Sequence, residues 1–416
     1  MTKLKNKFAQ PGRQWLLADK SPVPAGLTVR PAVIAGRCQR CQTKLQAGAC
    51  PGCASLGLVR PGMQLVRNEQ ASSFLANKNV LCWQGQLTAL QAQVSTDLVH
   101  SFRKGRSRLV HAVTGAGKTE ITYQIIAECL RQGGRVAFSA PRIDVVNELF
   151  PRLQAAFKVS SGCYHGKSRP NGNEQLVVAT THQLLKFYHA FDLLILDEVD
   201  AFPFRGNPFL DYAAKASVKL AGVTIYLTAT PADDLLKKTR QGLLDYSCLK
   251  RRYHGHLLPE PCCLYLTSRQ LHHPLPSKLK RIMAEALEAR QLLFFVPDLH
   301  LLPHFYHLFK DLWPAKRVAT VHANDWQRLA KIDAFRQGHI DLLVTTTILE
   351  RGVTFPGVWV IVWQTEAPIF LTSTLVQIAG RVGRSATDPD GLVLFCYHLY
   401  SKEMRQALAQ IKYMNR

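Results

Sequence analysis

A chain of 416 residues, 47% hydrophobic and 19% charged, has room for two or three domains with cores of their own. Lys and Arg outnumber Asp and Glu by 52 to 29, and the resulting +23 points to a polyanionic partner: nucleic acid first, an anionic membrane surface second. The charged start Met-Thr-Lys-Leu-Lys-Asn-Lys-Phe has no apolar stretch behind it, and no apolar run reaches the roughly 20 residues of a membrane span. The expectation is a soluble protein with no transmembrane segment, able to sit on a membrane surface.

Residues 1–80 hold twelve Lys and Arg against only Asp19 and Glu69, an excess of 12 − 2 = +10 in a Pro- and Gly-punctuated stretch. Within it lie Cys38-Gln39-Arg40-Cys41, an eight-residue spacer and Cys50-Pro51-Gly52-Cys53. Two such pairs fit a tetrahedral Cys₄ site for Zn²⁺, with Gly48 and Gly52 giving the turns and Arg37, Arg40 and Lys44 displayed around it. Four thiolates close the metal's shell, so the role would be structural. Disulfides compete in an oxidising compartment, and a redox Cys-x-x-Cys needs only one of the pairs. Cys82, Cys129, Cys163, Cys248, Cys262, Cys263 and Cys396 show no ligand spacing and are expected as buried thiols.

Trp83-Gln84-Gly85-Gln86-Leu87-Thr88-Ala89-Leu90-Gln91 leads into a helix expected to end near Arg103. Gln91 has two readings: the second half of a capping box with Thr88, or a contact to the adenine edge of a nucleotide. Next, an apolar strand from Arg108 ends in Thr114-Gly115-Ala116-Gly117-Lys118-Thr119, and a helix with Ile121, Ile125 and Ile126 on one face follows. This is the strand, loop and helix order of a phosphate-cradling P-loop, although Ala112 replaces its first glycine. Glycines let backbone N–H groups close on phosphate oxygens; Lys118 would reach the β- and γ-phosphates, and Thr119 would hold Mg²⁺. The chain is expected to bind ATP.

Strand and helix then alternate. A strand over 135–140 ends in Pro141-Arg142, and a helix runs from Ile143 to about Phe157. Strand 176–180 ends in Thr180-Thr181. Strand 191–196 ends in Asp197-Glu198-Val199-Asp200, where Asp197 would hold Mg²⁺ and Glu198 would deprotonate the attacking water. Strand 223–227 ends in Thr228-Ala229-Thr230. All these polar clusters fall at the carboxyl ends of strands, where open parallel sheets bind ligands.

These motifs resemble, in order and rough spacing, those of superfamily 2 helicases and translocases. The second half adds Leu292–Pro297, then Thr345-Thr346-Thr347-Ile348-Leu349-Glu350-Arg351-Gly352-Val353-Thr354-Phe355, then Gln377-Ile378-Ala379-Gly380-Arg381-Val382-Gly383-Arg384. The resemblance covers about residues 80 to 400. It implies an α/β protein of two tandem RecA-like domains with parallel sheets, preceded by the small Cys₄ module. It also implies that Gln377 helps bind the nucleotide, that Arg384 is the arginine finger and that Arg381 is a supporting phosphate contact.

Within the superfamily the chain is most similar to the ComFA family of late competence DNA-uptake ATPases. The Cys₄ module directly before the motor, the Trp-x-Gly-x-Leu-Thr-x-x-Gln entry and the 347–355 stretch carry this likeness. PriA-like replication-restart helicases are the next relatives; this chain is much shorter and has no cysteine cluster between the second-domain motifs. The expected domains are 1–80, 81–258 and 259–416, with the hinge around Pro259, Pro261, Pro274 and Pro276. Binding of single-stranded DNA, or its coupling to hydrolysis, would fall to Pro141, Arg142, Thr180, Thr181, Thr228, Thr230, Thr345, Thr346, Thr347 and Arg351. The family resemblance further implies other competence proteins and a membrane DNA channel as partners, and a place in the cytoplasm at the inner face of the membrane. A PriA-like restart or repair helicase, an RNA helicase and a binding scaffold with a vestigial ATPase are the alternatives.

Overall fold

The structure is a computed structural model that describes residues 8–19, 21–70, 72, 74–166, 168, 170–271, 275–352 and 355–416. Pro274 of the expected hinge and Val353-Thr354 of the 345–355 motif lie outside the described residues. Two compact units divide the chain: 1–111 with 118–248, and 112–117 with 249–416.

The first unit begins with short antiparallel strands that the Pro- and Gly-rich sequence did not suggest. Strands β1 (Gln14–Leu17), β2 (Thr28–Pro31) and β5 (Gln64–Arg67) form one sheet in the order β1-β5-β2. Between them, β3 (Val33–Ile34) and β4 (Arg37–Cys38) make the hairpin that leads into the cysteine turns. Helix α1 (Ala89–Arg103) follows, with Thr88 as its cap, and it ends where the sequence placed it.

The large sheet of this unit has the order β12-β6-β11-β10-β7-β9-β8. Its strands are β6 (Arg108–Ala112), β7 (Val136–Ala140), β8 (Ser161–Tyr164), β9 (Leu176–Thr180), β10 (Phe191–Leu196), β11 (Val218–Thr228) and β12 (Asp245–Leu249). Every pairing from β6 across to β8 is parallel. Strands β6, β7 and β9 are buried along their whole length, as expected of a parallel sheet whose strands are continuous apolar runs. Helices α2 (Tyr123–Arg131), α3 (Ile143–Ala156), α4 (Pro208–Ser217) and α5 (Asp233–Arg240) connect them.

The second sheet is parallel throughout and has the order β13-β18-β17-β14-β16-β15. It comprises β13 (Cys262–Tyr265), β14 (Gln291–Phe295), β15 (Val318–Val321), β16 (Leu342–Thr345), β17 (Val358–Val362) and β18 (Val393–Tyr397). Its helices are α6 (Ser268–Leu271), α7 (Ser277–Ala289), α8 (Leu301–Leu312), α9 (Arg328–Arg336), α10 (Thr372–Ala379) and α11 (Lys402–Asn415). Phe294, Phe305 and Phe309 stack with Trp363 at its core. No helix among the described residues is long and apolar enough to cross a membrane. None of the cysteines outside the cluster is in a disulfide, but only Cys129 and Cys396 are buried; Cys262 and Cys263 lie exposed on edge strand β13.

Candidate functional site

Strands β6, β11 and β10 run parallel and side by side, so their carboxyl ends bring Lys118 and Thr119, Thr228-Ala229-Thr230, and Asp197-Glu198 to one edge of the sheet. Past Ala112, Gly115 at φ 77° and Gly117 at φ 74° turn the loop through the left-handed region that suits glycine. Thr114, Ala116 and Thr119 are buried, and Lys118 is partly exposed. The Thr114 hydroxyl is buried with no hydrogen-bond partner, an orphan that a phosphate oxygen would satisfy. The helix starts later than expected. A 3₁₀ turn spans Glu120–Thr122, tightened by the Thr122 hydroxyl donating to the Thr119 carbonyl at 2.6 Å, and α2 begins at Tyr123.

The carboxylates leave β10 in a constrained turn. The Asp197 N–H donates to the Ser139 carbonyl at 2.8 Å, and the Glu198 N–H to the Asp197 carboxylate at 2.9 Å. Glu198 sits at φ 54°, a left-handed conformation that costs a non-glycine residue about 1–2 kcal/mol and concentrates at functional sites. Asp200 accepts the Thr228 hydroxyl at 2.7 Å and the Thr230 hydroxyl at 2.5 Å. Both hydroxyls are therefore bonded to Asp200, three residues after Asp197. His111, which no sequence signal singled out, completes the lattice. Its Nε2 donates to the Ala229 carbonyl at 3.1 Å, and its Nδ1 lies 3.1 Å from the Tyr246 hydroxyl.

Farther along the same edge, Arg142 caps α3 in an extended conformation after Pro141. Thr180 and Thr181 are buried, and the Ser139 hydroxyl donates to the Thr181 hydroxyl at 3.3 Å. Gln91 forms the capping box: its Oε1 accepts the Thr88 N–H at 2.9 Å, and its own N–H donates to the Thr88 hydroxyl at 3.3 Å.

In the second unit Thr345 is fully buried, its hydroxyl donating to the Val321 carbonyl at 3.1 Å. Thr346 and Thr347 remain partly exposed at the end of β16. Arg351 is buried beside Glu350, 3.5 Å from its carboxylate. Gln377 is buried on α10; Arg381 is buried, its Nε donating to the Glu350 carbonyl at 3.1 Å. Arg384 stays partly exposed, with its Nε on the Gly380 carbonyl at 3.2 Å.

The four cysteine sulfurs converge as the sequence proposed. All lie within 4.8 Å of one another and all four residues are buried. The Cys38–Cys53 sulfurs are 3.8 Å apart and the Cys41–Cys50 sulfurs 3.3 Å. A tetrahedral ion with Zn–S near 2.3 Å needs sulfurs about 3.8 Å apart, so the cluster suits such a metal. The crowding splits the thiols' acidities: hydrogen bonds from Cys38 and Cys53 push Cys41 down, whereas those with Cys38 and Cys41 push Cys53 up. The first turn takes its left-handed step at Gln42, φ 63°, and the second at Ala47 and Gly48. Gly52 serves a close approach instead, because a Cβ there would lie 3.0 Å from the Phe209 ring.

Arg40 corrects the expectation of a displayed cation. It is 4% exposed, and its Nε donates to the Leu185 carbonyl at 3.1 Å and its Nη1 to the Leu56 carbonyl at 3.3 Å. Burial lowers its pKa. Arg37 and Lys44 are exposed as anticipated. The cysteine module is thus pinned to Thr181–Lys186, the turn that follows β9.

The comparisons fit this site. Residues 84–233 match the family described as "Type III restriction enzyme, res subunit", and 275–386 match "Helicase conserved C-terminal domain". The competence protein ComFA of Streptococcus pneumoniae is 41% identical over 91% of this chain and 90% of its own length. That of Bacillus subtilis is 38% identical over 88% and 80%. The chain belongs to the ComFA family. It is a superfamily 2 helicase that hydrolyses ATP, with Mg²⁺ as the implied ion. Among solved structures, S. cerevisiae Dbp5 bound to RNA and ADP BeF3 matches with a TM-score of 0.58 at 17% identity, covering 79% of this chain and 88% of that one. That likeness speaks to the fold of this ComFA relative.

Arg40→Ala should leave the Leu56 carbonyl without its donor and the Leu185 carbonyl with Gln14 alone, and destabilise the docking of the cysteine module by about 1–3 kcal/mol. Limited proteolysis would show it, with cleavage around residues 40–60 rising well before the rest of the first unit is cut. Unchanged protection would mean that Arg40 carries no docking energy.

Proposed function

We propose that the chain is an ATP-driven translocase on single-stranded DNA that draws transforming DNA across the cytoplasmic membrane during competence. The observation that carries this is its 41% identity to a competence protein over nine-tenths of both chains, joined to a P-loop edge with no visibly broken residue. The +23 charge suits a nucleic-acid track, and backbone-directed contacts suit binding without sequence preference. Other competence proteins and a membrane DNA channel are the partners this role requires, with the protein working at the inner membrane face.

Each residue has a task in this reading. The P-loop amides of Thr114, Gly115, Ala116 and Gly117 cradle phosphates, Lys118 neutralises them, and Gln91 and Gln377 contribute to nucleotide binding. Thr119 and Asp197 hold Mg²⁺, which supplies charge neutralisation between the β- and γ-phosphates. Glu198 takes the proton of the attacking water as the bond between the γ-phosphorus and the bridging oxygen breaks and ADP leaves. Arg384 stabilises the charge on the transferring phosphoryl group, and Arg381 steadies its turn through Glu350. DNA contacts come from the backbone around Pro141, Arg142, Thr180 and Thr181, and from Thr346, Thr347 and Arg351. Cys38, Cys41, Cys50 and Cys53 hold one Zn²⁺, which fixes the fold of the module.

Titrating the ATPase with single-stranded DNA, duplex DNA and RNA tests the substrate. Single-stranded DNA should stimulate turnover most; strongest stimulation by RNA would replace the DNA reading with an RNA remodeller.

Glu198→Gln should retain ATP and DNA binding while turnover falls to background, since the amide cannot accept the water's proton. Substantial residual hydrolysis would place the base elsewhere.

Replacing Cys38 and Cys41 with serine should release about one zinc per chain, measured by metal analysis of the purified protein. Because the module grips Thr181–Lys186, stimulation by DNA should fall more than the DNA-free rate. A wild type without zinc would end the metal assignment.

A further inference from the structure

Arg252 is a buried cation with no anion. It follows β12, is 2% exposed, and belongs to the second unit together with the P-loop tip 112–117. Its Nη1 donates to the carbonyls of Val382, at 2.8 Å, and Gly383, and its Nη2 lies 3.5 Å from the Gly380 carbonyl. These acceptors are all neutral. Among the described residues no carboxylate pairs with it; the charge it feels is that of Arg384, which repels it. Burial, with this repulsion added, pushes its pKa down to about 10. Its Nε is buried without a hydrogen-bond partner.

A guanidinium out of water needs a counter-charge or a full set of acceptors, and Arg252 has neither. Its surroundings identify the missing partner. A Cβ on Gly115 would lie 3.8 Å from the Arg252 Cγ and 4.0 Å from its Nε, so the side chain lies along the phosphate loop. The chain on either side is fastened there too: the Val113 N–H donates to the Leu249 carbonyl at 3.1 Å and the Tyr253 N–H to the Gly115 carbonyl at 3.0 Å. The orphan Thr114 hydroxyl is close by, where a Cβ on Gly380 would come within 1.9 Å of it. Arg252 and two unpartnered polar atoms, its own Nε and the Thr114 hydroxyl, therefore lie at a loop built for an anion.

We propose that Arg252 is a nucleotide-binding residue that takes phosphate oxygens of the triphosphate held at the P-loop. The contact would satisfy its idle Nε and relieve the repulsion from Arg384. Because the same guanidinium holds the Val382 and Gly383 carbonyls, phosphate occupancy is also communicated to the turn that carries Arg384. The inference rests on nucleotide binding at the P-loop and is independent of the nucleic-acid substrate.

The test is affinity for a fluorescent non-hydrolysable ATP analogue, without nucleic acid, in wild type, Arg252→Gln, Arg252→Lys and Lys118→Ala. Glutamine keeps an amide donor for the Val382 and Gly383 carbonyls but removes the charge. Arg252→Gln should weaken binding by about tenfold or more, the loss expected for a charge-assisted hydrogen bond. Arg252→Lys should recover part of it, since charge returns without the planar fork. Wild-type affinity in Arg252→Gln, with or without a fall in turnover, overturns the proposal and leaves Arg252 a brace. Should Arg252→Gln fail to fold, wild-type affinity in folded Arg252→Ala overturns it in the same way. Unchanged binding in Lys118→Ala removes the P-loop as the nucleotide site and the proposal with it.

Discussion

The parallel run of β6, β11 and β10 is the constraint from which the chemistry follows. A parallel sheet sends every strand's carboxyl end to the same edge. Phosphate loop, carboxylates and hydroxyls therefore meet although they are spread along the chain from Lys118 through Asp197 to Thr228. The middle strand is the one that matters most. Its Thr228 and Thr230 bind Asp200 on one side, and its Ala229 carbonyl binds His111 on the other. The edge is cross-bonded by its own side chains, which lowers the reorganisation that transition-state stabilisation would otherwise require. The left-handed Glu198 belongs to the same economy: a strained carboxylate stays in place only where its neighbours over-determine it.

The sequence showed this edge well because its signals are local. Gly115 and Gly117 sit where φ must be positive, β10 is an unbroken apolar run before two carboxylates, and Thr88 with Gln91 caps α1 as a four-residue pattern implies. The cysteine spacing was likewise a local statement about one metal. What stayed hidden depends on partners far away in the chain. Strands β1, β2 and β5 have four residues each and weak alternation, and Gln14 is anchored by carbonyls at Leu185 and Phe187. Nothing near Gln14 announces that. Arg252 was invisible for the same reason, since its acceptors lie some 130 residues on.

Composition overstated the charge available to a nucleic acid. Of the basic residues in 1–80, Arg13 packs over Phe187, Arg67 stacks 3.6 Å from the Tyr188 ring centre, and Arg40 is buried on Leu185. Arg135, fully buried, reaches back from the start of β7 to the Pro11 carbonyl at 2.9 Å. These arginines hold the N-terminal module against residues 181–189 through their planar, weakly hydrated heads, a task lysine performs poorly. Their charges serve docking first. Arg30, Arg37, Lys44 and Arg60 are exposed and are charges the segment offers outward.

The bonded route from carboxylate to track is short. The Asp197 N–H rests on the Ser139 carbonyl, and the Ser139 hydroxyl rests on Thr181. Thr181 opens the turn whose far end, at Leu185, receives Arg40 and Gln14 from the cysteine module. A displacement of Asp197 on nucleotide binding would therefore be resisted by a turn that is clamped at both ends, by Ser139 within the sheet and by the module outside it. A turn held at one end alone could absorb such a shift locally. Clamped at both, it must move as a body or hold Asp197 still, and either response ties the state of the carboxylate edge to the position of Thr180 and Thr181. The cysteine module thus contributes stiffness to a motor part that it does not share a sequence motif with.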